Sequence, residues 1–239
     1  MTSTSSQQLV LDLPHLTALD AEDFLVSDAN AAAVAVIGTW PNWSHWAVVV
    51  TGPEGAGKSH LANVWRQRSG AGRVEAASFD EAALDQLRAN GGLAVENLET
   101  GVGDEKALFH ALNLAREHKL SLLLTSRTAP GDLEVGLPDL RSRLRALPVV
   151  AISPPDHNLL QGLLVKLFED RQLSVEPAVI AHLSRHMDRS ARAAQRLVAA
   201  IDRRALETHR KVTRPLAAEA LAAEALAAEA ERSLTAIER

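Results

Sequence analysis

The chain has 239 residues, 46% hydrophobic and 23% charged, with no cysteine. These proportions belong to a globular protein and exclude disordered, collagen-like and disulfide-scaffold classes, together with zinc-thiolate sites and a thiol nucleophile. A formal charge of −5 speaks against a protein whose main role is to coat nucleic acid, because phosphate binding needs a cationic excess.

The length exceeds the usual ~100 to 200 residues of one domain and falls short of two, so a main domain with a smaller appendage is expected. Residues 1 to 7 (MTSTSSQ) are rich in Ser and Thr and are expected to order only on binding. The first twenty residues carry no Lys or Arg, unlike a signal peptide, and the longest apolar run, Ala31 to Ile37, is too short to span a bilayer. A soluble cytoplasmic protein without membrane contact is the expectation.

Short β-branched runs come next, at Ala47 to Thr51, Val74 to Ser78, Leu93 to Glu96, Leu120 to Thr125 and Val149 to Ile152. Helical patterns separate them at Lys58 to Arg68, Asp80 to Ala89, Glu105 to Glu117 and Leu137 to Leu144. This alternation predicts an α/β fold, a parallel sheet with helices on both faces. Trp40, Trp43 and Trp46 precede the first strand and read as core and edge packing.

Pro154-Pro155 punctuates the chain, and Asp156 can cap the helical segment after it. Helices are expected at Asp156 to Arg171, Glu176 to His186 and Ser190 to Thr208, a small three-helix lid. Residues 216 to 230 repeat LAAEA three times; Ala, Leu and Glu favour helix, but a period of five matches no packing seam, so an exposed helical tail is expected. The division is therefore an arm at 1–23, an α/β domain at 24–153, a lid at 154–214 and a tail at 215–239.

The segment Gly52-Pro53-Glu54-Gly55-Ala56-Gly57-Lys58-Ser59 fits GxxxxGK[ST] between the first strand and a helix. Glycines let successive N–H groups turn inward around a phosphate, the helix start adds partial positive charge, Lys58 reaches the outer phosphates and Ser59 can ligate magnesium. The neighbouring strand ends in Glu96-Asn97. Glu96 can serve magnesium, but Asn97 cannot act as a base, so hydrolysis of the chain's own nucleotide is expected to be weak or absent.

Four segments, GPEGAGKSHLANVW, the strand ending Glu96-Asn97-Leu98-Glu99, the strand ending LLLTSRTAP and PDLRSRL, occur in this order. Together they resemble the AAA+ module of the bacterial replication initiator DnaA. Over about residues 8 to 214 the likeness is closest to the Hda-type regulators, DnaA-related proteins that promote inactivation of that initiator. The resemblance implies ADP or ATP with Mg2+ as ligands. It implies that Thr125 and Ser126 sense the terminal phosphate and that Arg192 touches the phosphates from the lid. Phe24, Leu25, Val26 and Asn30 would pack on the base, and His60 is carried over from the GKxHL pattern. Arg143 matches an arginine finger that reaches a neighbouring subunit's nucleotide.

Gln8, Leu9, Leu11 and Leu13 in QLVLDL resemble the peptide with which such proteins bind the DNA polymerase sliding clamp, although alternating leucines also suit an edge strand. DnaA continues past its lid into a helix-turn-helix domain, whereas residues 215–239 are an Ala/Glu repeat, which favours the regulatory branch. The implied partners are the clamp and DnaA; a homo-oligomer is compatible, and no strong direct DNA binding is expected. Two other readings stay open, a self-contained P-loop NTPase and an initiator-like DNA-binding factor. The second draws on residues 185 to 214, where nine Lys/Arg face three Asp/Glu and Arg185, Arg189, Arg192 and Arg196 recur at helical spacing.

Overall fold

A computed structural model describes residues 25–208 and 210–237, the side chains of 227–237 excepted. Gln8, Leu9, Leu11, Leu13 and Phe24 lie outside the described residues.

Five strands, β1 (Ala47–Thr51), β2 (Gly72–Glu75), β3 (Gly92–Glu96), β4 (Ser121–Ser126) and β5 (Val149–Ala151), form one sheet in the order β2-β3-β4-β1-β5. Every pairing is parallel. Helices cover both faces, as a buried parallel sheet requires, and strand alternation divides the core. Ala47, Val49, Leu93, Val95, Leu122 and Leu124 face α3 (Glu81–Asn90), α4 (Glu105–His118) and α5 (Pro138–Arg145). Val48, Val50, Ala94 and Leu123 face the other way, onto α1 (Ala31–Gly38) and α2 (Lys58–Ser69). There Trp65, fully buried, stacks on Trp43 with ring centroids 5.4 Å apart.

Sequence chemistry sets the boundaries. Asp80 and Asp104 accept hydrogen bonds from the first-turn N–H groups of α3 and α4, and Gly91 closes α3 in the left-handed region. The second strand departs from expectation. It starts at Gly72 and stops at Glu75, opposite Glu96, so its ladder ends where β3 ends, and residues 76–78 coil into a 3-10 turn. The run Ala31 to Ile37 is the helix α1, in which Ala33, Val34 and Ile37 are buried.

Beyond β5 the chain is helical. Asp156 caps α6 (His157–Glu169) through the Leu159 N–H at 2.7 Å. Next come α7 (Pro177–His186) and α8 (Ala191–Thr208), which bury Leu160, Leu164, Phe168, Leu183, Leu197 and Ile201 in a second core. The tail differs from its expected exposure. Residues of α9 (Arg214–Ile237) close that core with Leu216, Ala217 and Ala220, and Arg196 of α8 pairs with Glu224 at 3.3 Å. A five-residue repeat still brings residues three and four apart onto one helical face, and small alanines let the helix lie close. No helix among the described residues is long and apolar enough to cross a membrane.

Candidate nucleotide site

The crevice lies where the carboxyl ends of the strands meet the lid, the usual place for a ligand in an open α/β sheet. β1 delivers the glycine loop there and α2 begins at Lys58. Gly52 runs against the residue after β5, where a Cβ would sit 2.4 Å from the Ile152 carbonyl oxygen. Gly55 has a φ of +73°, and a Cβ on it would meet the Ser190 Cβ at 2.5 Å. The lid presses on the loop at this point, and the Ala191 N–H donates to the Gly55 carbonyl at 3.0 Å.

A cleft of about 640 Å³ runs along the loop, within the range of small-molecule sites. Residues 54–60 form its floor, and Leu25 and Asn30 one end. Pro155, Leu159 and Leu163 give it an apolar wall, while Arg192 and Gln195 overhang it from α8. The wall suits a flat apolar group and the floor an anion.

The floor is strongly charged. Lys58 is 7% exposed, and its amine donates to the carbonyls of Gly52 at 2.6 Å and Pro53 at 2.9 Å. Burial lowers its pKa below the ordinary lysine value; Glu99 opposes the shift, Arg127 adds to it and Glu54 opposes it. Glu54 reaches Arg192 at 2.7 Å with one carboxylate oxygen and Arg127 at 3.0 Å with the other. Arg127 is held in addition by Glu99, through Nε at 3.0 Å and through its backbone N–H at 3.0 Å.

Not every residue implied by the resemblance lines the cleft. Glu54, Gly55, Ala56, Gly57, Lys58, Ser59, His60, Leu25, Asn30 and Arg192 do. Gly52 and Pro53 contribute the carbonyls that hold Lys58, and Val26 packs beneath, on the α1–α2 core. Asn30 is 4% exposed and braces its own turn by bonding the Leu25 carbonyl and the Ser27 N–H. Thr125 and Ser126 are fully buried behind the cleft, where the Thr125 hydroxyl accepts from the Asn97 N–H and the Ser126 hydroxyl from the Thr128 N–H. Arg143 lies apart on α5, bonded to Asn113 at 2.8 Å and 5.8 Å from the Phe109 ring centroid.

Asn97 lines the cleft, but its side-chain amide is committed to Glu75 at 2.7 Å. Glu96 is 2% exposed; Oε1 accepts from Arg73 at 2.6 Å, and Oε2 is buried without a partner. Glu96 does not line the cleft, and its unpaired oxygen is the feature that would suit a cation beside it. Among the described residues no cluster of three His, Cys, Asp or Glu side chains could hold a metal unaided, so an ion here would need Ser59 and phosphate oxygens as well.

Arg127, inside the LLLTSRTAP segment but given no role from sequence, lines the cleft, as do Pro155, Leu159, Leu163 and Gln195, which no motif marks out. For Arg127 a signal existed, since it directly follows a strand end in the crevice; the lid residues carry no local mark.

The described residues form a parallel α/β sheet with a glycine loop and a helical lid. No protein-family model matches the chain. Among solved structures, domain III of the Thermotoga maritima replication initiation protein DnaA is similar with a TM-score of 0.71 and 18% identity, over 84% of this chain and 94% of that one. AMPPCP-bound DnaA from Aquifex aeolicus is similar with a TM-score of 0.63 and 19% identity, over 77% of this chain and 65% of that one. A point variant of Thermotoga maritima RuvB has a TM-score of 0.63 at 13% identity, over 82% of this chain and 68% of that one. The chain thus spans nearly all of the isolated DnaA domain and about two thirds of the longer chain. At these identities the likeness is one of fold, of the DnaA domain III kind.

Proposed function

We propose that the chain is a regulator of chromosomal replication initiation that binds ADP or ATP in the cleft and acts on a partner's nucleotide rather than on its own. The observation that carries this reading is the convergence of Lys58, Arg127 and Arg192 on a glycine loop beneath an apolar wall. A base would lie against Leu159, Leu163 and Leu25, with the phosphates on the loop. That solved DnaA carries AMPPCP supports an adenine nucleotide. Ser59 and Glu96 would hold magnesium, which would neutralise phosphate charge.

Turnover in the cleft itself is expected to be slow, because a water-polarising acid is missing where Asn97 stands, tied to Glu75. Arg143 is the candidate finger. It lies outside the cleft and its guanidinium is steadied by Asn113 and Phe109, which suits a group offered to another molecule's triphosphate. Fingers of this kind accelerate phosphoryl transfer by ~10³ to 10⁵ where they act. The proposed partners are DnaA, whose ATP is hydrolysed, and the sliding clamp, bound through Gln8, Leu9, Leu11 and Leu13.

The deciding assay is single-turnover hydrolysis of ATP preloaded on DnaA, with DNA-loaded clamp, after adding the parent, Arg143→Ala or Arg143→Lys chain. Stimulation by the parent and its loss in both variants is expected, since an ammonium cannot reproduce the planar guanidinium fork. Equal stimulation by Arg143→Ala would sink the finger assignment.

A further inference from the structure

Glu54 occupies a variable position of the glycine loop, where the phosphate-cradling pattern demands no particular side chain. A carboxylate beside a phosphate is repulsive, so its presence calls for an explanation. It spans both arginines of the cleft, Arg192 at 2.7 Å and Arg127 at 3.0 Å, one through each oxygen. It also acts on Lys58, whose charged form it favours. Its side chain and that of Arg127 are about half exposed and that of Arg192 more so, while Glu99 holds Arg127 in place.

We infer that Glu54 is an internal competitor for nucleotide phosphate, holding Arg127 and Arg192 in the way that a phosphoryl group would hold them. The inference rests on the nucleotide reading above and assigns that site a residue that sets its affinity. Two carboxylate oxygens, each on a different guanidinium, match the demand of a phosphoryl group that accepts from two arginines. Glu54 occupies the Nη1 group of each arginine, so a phosphate that recruits those same N–H donors must displace it. Binding therefore requires the arginines to be transferred from Glu54 to phosphate.

Transfer of Arg192 also bears on the lid. The start of α8 is tied to the loop twice, by the Glu54–Arg192 pair and by the Ala191 N–H on the Gly55 carbonyl. The backbone bond need not break when the ion pair is exchanged. Affinity for phosphate is thus expected to change through Glu54 without displacement of the lid.

Calorimetric titration of the full chain with ADP and with inorganic pyrophosphate tests this, using parent, Glu54→Gln, Arg127→Gln, Arg192→Gln and the two doubles that combine Glu54→Gln with each arginine change. Glutamine keeps the shape and removes the charge. Half-exposed ion pairs are individually weak, so the expected gain for Glu54→Gln is modest, about threefold to tenfold tighter binding of both probes. In either arginine-deficient background the gain should shrink to about twofold or less, the mark of shared partners. Unchanged or weaker binding by Glu54→Gln would overturn the inference, as would a full gain that persists without Arg127 and Arg192. If Lys58→Ala binds ADP as tightly as the parent, the nucleotide reading itself fails and the inference falls with it. Pyrophosphate separates the phosphate effect from the base, since a gain seen with ADP alone would also contradict a competitor for phosphate.

Discussion

Lys58 carries the charge of the glycine loop at a position where burial works against that charge. Its amine is met by two neutral carbonyls, which bind a cation less well than a phosphate would. Lys58→Ala should therefore weaken ADP binding by about ten- to a hundredfold, the usual worth of a hydrogen bond to a charged group, as calorimetry can check. The pH dependence has a definite sign. With the folded pKa lowered, the folded chain holds fewer protons than the unfolded one between that lowered value and the usual 10.5, so folding stability rises with pH across this window. Phosphate prefers the protonated amine, so ADP affinity should fall as pH climbs through the same window. A pH series in which Lys58→Ala shows the same fall would assign it to another group. The loop was legible in the sequence because its spacing is its chemistry. Arg127 was legible only as a residue after a strand end; its pairing with Glu99 and Glu54, far from it in the chain, is announced by nothing local.

At the scale of elements, α9 shows where sequence pattern stops being informative. Its repeat has no heptad and too few large apolar residues to predict a seam, yet Ala217 and Ala220 are fully buried against the lid while Ala222 is exposed. Alanine is equally at home in both settings, so composition could not distinguish them. Ala220→Glu should destabilise the lid by on the order of 3 kcal/mol, because a carboxylate would enter a core with no partner. Ala222→Glu should be nearly neutral. Urea unfolding of the two variants decides, and equal stability would mean that α9 does not pack as described. A similar ambiguity hid α1, whose apolar run is too short for periodicity to distinguish a buried helix from a strand. The strands of the sheet were easier, being short apolar runs between helical patterns; β2 shifted most, because its end is fixed by its ladder partner rather than by its own residues.

Taken as a whole, the molecule sets a helical lid against an α/β body at several points, and Gly55, pressed against Ser190, is one of them. Its φ of +73° disfavours any side chain, and a Cβ would lie 2.5 Å from that of Ser190, well inside contact distance. Gly55→Ala thus introduces two separate penalties. Left-handed backbone costs an L-residue roughly 1 to 2 kcal/mol, and the clash must push the start of α8 away from the loop. The second penalty reaches the cleft, since Ser190 opens the helix that carries Arg192 and Gln195. Loss of ADP affinity by about tenfold or more is expected, with a smaller loss of thermal stability, because neither core contains Gly55. Adding Ser190→Gly separates the penalties. It removes the clashing Cβ and the hydroxyl that caps Ala193 at 3.0 Å, a change that costs only a few tenths of a kcal/mol when the replacement is glycine. The double variant should recover part of the ADP affinity while retaining the backbone strain. If it recovers nothing, the lid does not communicate with the cleft through this contact, and the loss in Gly55→Ala belongs to the loop alone.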